Sequence, residues 1–207
     1  MGVLIGPNTL YYVIVRPKGK LREDFDFSDE KVRKPALLRP EMGERGTGDM
    51  ATTVIAITNQ KGGVGKTTTA AALLTGLHRR GAAVLGVDMD PQGSLGFSLG
   101  LDIEHCTTIY DVFRGQAEPE QAIVRTDTCD ILPSNILLSG AELEFNRPGR
   151  EFLLKTALSK VEDQYDYIII DTPPALSLLT VNAYVATDSL IIPPKTPTPP
   201  KTTATAT

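Results

Sequence analysis

The chain is poor in the residues that metal centres, disulfide frameworks and membrane anchors require. Its two cysteines, Cys106 and Cys129, stand far apart with no CxxC pair, and its two histidines, His78 and His105, lie at no ligand spacing from them. This argues against a zinc site or a disulfide staple, and two free thiols fit a reducing, cytoplasmic setting. No apolar run reaches the ~20 residues of a membrane span, and Met1-Gly2-Val3-Leu4-Ile5 is too short and interrupted for a signal peptide. Positive charge is in slight deficit, with 21 Lys and Arg against 25 Asp and Glu. A net charge of −4 gives no global basic footprint for nucleic acid, so any DNA contact must be a local patch. What remains, 41% apolar and 22% charged residues in 207, can bury one good core, and one α/β domain with extra segments is the expectation.

The informative part of the chain is eight residues long: Lys61-Gly62-Gly63-Val64-Gly65-Lys66-Thr67-Thr68. Glycines let backbone N–H groups converge on an anion at a helix start, where aligned peptide dipoles already favour negative charge. Lys66 supplies a cation for the outer phosphates of a nucleotide, and the Thr67 hydroxyl suits Mg²⁺. The flanks agree, since Val54-Ile55-Ala56-Ile57-Thr58 reads as a buried strand entering the loop and Thr67 to Arg80 as the helix leaving it. Gly62, Gly63, Val64, Gly65, Lys66, Thr67 and Thr68 are therefore the expected phosphate cradle. Where the common pattern has its first glycine, this chain has Gln60, followed by an extra Lys61. That departure resembles the deviant Walker A loop of the ParA/MinD-type ATPases. The resemblance implies that Lys61 reaches across a dimer interface to the nucleotide of the partner subunit.

From Met50 onward, strands alternate with helices. Ala83 to Val87 reads as a strand ending at Asp88, and Cys129 to Leu132 as a short one. Tyr167-Ile168-Ile169-Ile170 is a β-branched run suited to a sheet covered on both faces, and Ser189 to Ile192 is the last strand. Helices are expected near Ile109 to Arg114, Glu118 to Val124, Leu137 to Phe145, Arg150 to Glu162 and Leu176 to Ala186. This alternation predicts a mostly parallel sheet flanked by helices, a P-loop α/β fold with its ligand at the carboxyl ends of the strands. Asp171 ends one strand ahead of Thr172-Pro173-Pro174, at the position where a carboxylate holds Mg²⁺ beside Thr67. Asp88-Met89-Asp90-Pro91-Gln92-Gly93 follows another strand and carries two acids two residues apart, which in extended chain would point the same way.

The resemblance extends over residues 51 to 193 and is nearest to the ParA/Soj-type partition ATPases. It includes Ile131-Leu132-Pro133-Ser134-Asn135, Ala141-Glu142-Leu143-Glu144 and Leu179-Thr180-Val181-Asn182-Ala183. It implies an ATP- and Mg²⁺-dependent dimerisation switch whose dimer coats DNA and whose hydrolysis is stimulated by a ParB-like, centromere-bound partner. Asp88 would belong with Thr67 and Asp171 to the magnesium shell. Asp90, Lys61 and Lys66 would be the catalytic groups, with Asp90 orienting the attacking water.

Both ends depart from this pattern. Residues 1–49 mix short apolar pieces with charged, proline-punctuated stretches and show no sustained period, so no fold is expected there; either Met50 is the true start or the segment is a disordered or regulatory N-terminal arm. Beyond Ile192 the chain becomes a Pro/Thr tract over 194–207, expected as an extended tail in place of the further helices of the family. The domain is expected to be incomplete at that end. A nucleotide-binding module with little or no ATPase activity is thus the alternative to a working switch, and DNA binding is expected to be weak. A MinD-type membrane ATPase would need a basic amphipathic C-terminal helix, and a nitrogenase-reductase-type carrier clustered cysteines; the sequence offers neither.

Overall fold

The computed structural model describes residues Val13–Val15 and 51–194. In chain order these form β1 (Val13–Val15), β2 (Thr53–Ile57), α1 (Lys66–His78), β3 (Val84–Asp88), α2 (Ser94–Ser98), α3 (Ile109–Phe113) and α4 (Pro119–Ala122). Then come β4 (Val124–Arg125), β5 (Asp130–Leu132), α5 (Ala141–Glu144), α6 (Leu153–Leu158), β6 (Tyr167–Asp171), α7 (Leu178–Ala186) and β7 (Ser189–Ile192). The strands make one seven-stranded sheet in the order β1-β7-β2-β6-β3-β5-β4. The five inner strands pair in parallel, and only the outermost pairs, β1 with β7 and β4 with β5, are antiparallel.

Alternation along the inner strands sorts their side chains into two cores. Val54, Ala56, Leu85, Val87, Ile168 and Ile170 face one side with Ile109, Leu154, Leu158 and Leu179. Ile55, Ile57, Val84, Ile131 and Ile169 face the other with Ala70, Leu74 and Leu77 of α1. A strand whose successive residues all find an apolar layer must be covered on both faces, which is why these segments read as unbroken apolar runs. Helix α1 buries Lys66, Thr69, Ala70, Leu74 and Leu77, a three-to-four-residue spacing that lays one stripe against β2, β3 and β6.

The structure corrects several details. The segment expected to be helical from Glu118 to Val124 stops at Ala122, because Val124 and Arg125 pair with Ile131 and Asp130 of β5. The helices expected over 137–145 and 150–162 each begin as a 3-10 turn, Ile136–Gly140 and Arg150–Phe152, before α5 and α6. Val13–Val15, in a stretch expected to carry no fold, is the edge strand on β7. The rest of the N-terminal extension and the Pro/Thr tract from residue 195 lie outside the described residues.

Candidate functional site: a phosphate loop and buried acids

The loop between β2 and α1 is anchored at its base from several directions. The Thr172 hydroxyl donates to Ile57 O at 2.8 Å, Thr58 N–H to Ile191 O at 2.9 Å, and the Thr58 and Tyr184 hydroxyls lie 2.9 Å apart. The loop then enters α1 through Gly65, whose φ of 84° lies in the left-handed region that a side chain disfavours. The first α-helical bond runs from Thr69 N–H to Gly65 O at 2.9 Å, so the preceding N–H groups have no partner within the helix and point out of its positive end. Lys66 begins the helix with only 7% of its surface exposed, whereas Lys61, at the front of the loop, is exposed.

The acids converge on the same end of the sheet. Asp88 and Asp171 are paired residues at the carboxyl ends of β3 and β6, and both are fully buried. Burial pushes Asp171 up to about 7, and the nearby charges of Asp88 and Asp90 push the same way, while the Thr67 hydroxyl and the Lys66 ammonium pull it down. Neither Asp171 oxygen has a hydrogen-bond partner, so Thr67 acts from close by without a well-aligned bond. Asp88 is pushed up to about 6, again by burial, against the pull of three backbone N–H groups. Its Oδ1 accepts from Asp90 N–H at 3.0 Å, and its Oδ2 from Leu95 and Gly96 N–H at 2.9 and 3.3 Å. Asp88 thereby organises the start of α2 and the loop before it.

Asp90 does not continue the extended strand, as two acids facing one way would require. It opens a turn in which its Oδ1 accepts from Gln92 N–H and its carbonyl accepts from Gly93 N–H and from the Ser134 hydroxyl. Gly93 has φ 63°, and a Cβ there would stand 2.3 Å from Ile103 and 3.1 Å from the Ser134 carbonyl, so the turn admits only glycine without rearrangement. Lys66, Thr67, Asp88, Asp90 and Asp171 are thus one electrostatic group. Gly62, Gly63, Val64, Gly65 and Thr68 form the loop and helix start beside it, and Lys61 stands at its exposed rim. Sequence reasoning missed Asn59 and Ser134, which tie the loop and the Asp90 turn to distant strand ends. An asparagine just before a tight loop is a signal for such local bonding. A second polar cleft, lined by Glu104, His105, Cys106 and Asp111, shares no residue with this cluster, and no group of side chains suited to a metal occurs among its residues.

A glycine-rich loop between an inner strand and a helix, with buried acids at the ends of neighbouring strands, defines a P-loop nucleotide-binding protein. Residues 52–198 match the AAA domain family, and the chain belongs to that family. It is 49% identical over 146 residues to the sporulation initiation inhibitor protein Soj of Bacillus subtilis, covering 68% of this chain and 57% of Soj. It is 44% identical over 155 residues to the chromosome partitioning protein ParA of Myxococcus xanthus, covering 73% and 54% respectively. Among solved structures, one described as cobyrinic acid a,c-diamide synthase of Mycobacterium smegmatis, with bound ADP and magnesium, matches with a TM-score of 0.64 and 48% identity over 66% of this chain and 56% of that one. The chain therefore spans little more than half the length of each.

Proposed function

We propose that the chain binds ATP with Mg²⁺ at the phosphate loop and hydrolyses it as a dimerisation switch in chromosome or plasmid partitioning, with a ParB-like partner. The observation that carries the reading is the Asp171 carboxylate, buried without a hydrogen-bond partner beside Thr67 and Lys66. Leaving such a group unpaired is costly, and a hard dication with oxygen ligands relieves it. Thr67 and Asp171 are the residues that would hold Mg²⁺, with Asp88 behind them, and when bound the ion would neutralise charge on the outer phosphates. The bound ADP and magnesium of the Mycobacterium smegmatis relative support this assignment.

The residues of the chain then divide the work. Loop N–H groups and Lys66 bind and neutralise the phosphates, and Lys61 reaches a nucleotide in a second subunit, a role that its exposure supports. Asp90, its Oδ1 fixed by Gln92 N–H, orients the attacking water. Contacts that depend on the terminal phosphate vanish on its release, which opens the dimer. The name of the Myxococcus xanthus relative, chromosome partitioning protein ParA, supports the partitioning role. The synthase name of the Mycobacterium relative does not transfer a substrate, because the match covers 56% of that chain. The second reading is a module that holds nucleotide and catalyses nothing. Phosphate release separates the two: wild type turns over and Asp90→Ala binds Mg·ATP but does not. Equal turnover by both proteins moves the water-orienting role off Asp90, and absence of turnover in wild type leaves the second reading.

A further inference from the structure

We propose that Asn59 is a positioning residue for Lys61, tying the front of the phosphate loop to the end of β7. The inference rests on the reading of Lys61 as a group that acts on the nucleotide. The Asn59 Oδ1 accepts from Lys61 N–H at 2.9 Å, while its Nδ2 donates to the Pro193 carbonyl at 2.7 Å, across 134 residues of sequence. The Asn59 amide accepts through its oxygen and donates through its nitrogen at once; a carboxylate accepts only, and alanine does neither.

The front of the loop has little else to hold it. Lys61, Gly62 and Gly63 are exposed, and no neighbouring atom lies within 4 Å of where a Cβ would stand on either glycine. The back of the loop is fixed differently, because Gly65 and Lys66 are already part of the helix start. Lys66 is held by the fold, and Lys61 is held by Asn59. The two lysines are therefore separable: loosening Asn59 should disturb the front lysine and spare the phosphate cradle. Because the second anchor is Pro193, the position of Lys61 is also coupled to β7, which flanks β2 in the sheet.

The test uses the full chain and three proteins: wild type, Asn59→Ala and Asn59→Asp. In Asn59→Ala the Lys61 amide should exchange about fivefold faster by NMR, the equivalent of one ordinary hydrogen bond. Affinity for Mg·ADP should stay within about threefold, while turnover at saturating ATP falls by about fivefold or more with KM unchanged. Asn59→Asp retains the acceptor for the Lys61 N–H but loses the donor to Pro193, so it should keep the Lys61 amide protected and recover the turnover only in part. Unchanged Lys61 exchange in Asn59→Ala overturns the proposal, as does exchange in Asn59→Asp as fast as in the alanine variant. A loss of nucleotide affinity in step with turnover would mean that Asn59 supports the whole loop and would also overturn it. If wild type shows no turnover, the hydrolytic reading fails, and the exchange measurement alone still decides whether Asn59 holds Lys61.

Discussion

At the scale of single residues, the site is a balance between a cation-lined loop and acids that burial keeps uncomfortable. Asp171 shows this most directly. Its native pKa of about 7 lies above its ordinary 3.8, so the ionised form costs stability above pH 7, and the cost fades as pH falls from 7 toward 3.8, where folded and unfolded chains both become protonated. Asp171→Asn should therefore stabilise the metal-free protein by on the order of 1–3 kcal/mol near pH 8, with the difference vanishing near pH 4. Urea unfolding at both pH values, with chelator present, checks this. In saturating Mg·ADP the order should reverse, because the variant loses the ligand-linked stabilisation that wild type gains. A pH-independent difference would mean that the carboxylate is not desolvated as the fold requires.

At the scale of elements, packing and pairing make separate predictions. Leu74 is fully buried on the α1 stripe, so Leu74→Ala should cost about 2–5 kcal/mol in denaturant unfolding. At the far edge of the sheet, the Ile191 carbonyl accepts from Thr58 N–H and so faces β2, which leaves the backbone groups of Leu190 and Ile192 facing β1. Val15 is paired with Leu190, and Val15→Pro should remove a ladder bond and speed exchange of the Leu190 amide about fivefold. Ile14→Pro, whose N–H faces away from β7, should have a smaller effect. Equal exchange in the two variants would contradict the register.

The same elements show what could be read from residues alone. Strands β2, β3, β6 and β7 and helix α1 were legible because each carries a compact run of apolar residues, and all but β2 begin or end at or beside glycine, aspartate or proline. Helix α2 was not. It is five residues with a glycine in the middle, and its start is set by Gly93 and by the Asp88 carboxylate accepting from Leu95 and Gly96 N–H. Strand β4 is two residues defined only by its partner. In the site, Lys66, Thr67 and Asp171 could be found from local motif spacing. The bond from Ser134 to the Asp90 carbonyl spans 44 residues and that from Asn59 to Pro193 spans 134, and no local pattern encodes either.

At the scale of the whole molecule, charge and nucleotide binding decide what the chain can do. From Met50 to residue 194 its basic groups are spread among acids, and some are already engaged: the Lys160 ammonium lies 2.5 Å from Glu118 and the Arg114 guanidinium 2.9 Å from Glu144. Nonspecific DNA binding needs several clustered phosphate contacts. Fluorescence anisotropy should therefore show weak or no binding to duplex DNA near physiological salt, with or without ATP. Tight, ATP-dependent binding would assign a basic surface to residues outside 51–194. The central claim, that the loop and its acids hold a magnesium nucleotide, is tested most directly by calorimetric titration of Mg·ATP into the wild-type chain and into Lys66→Ala. Wild type should bind saturably, and the variant should show no binding while its circular dichroism and unfolding midpoint are preserved. Undiminished affinity in Lys66→Ala would contradict the assignment of the phosphate site.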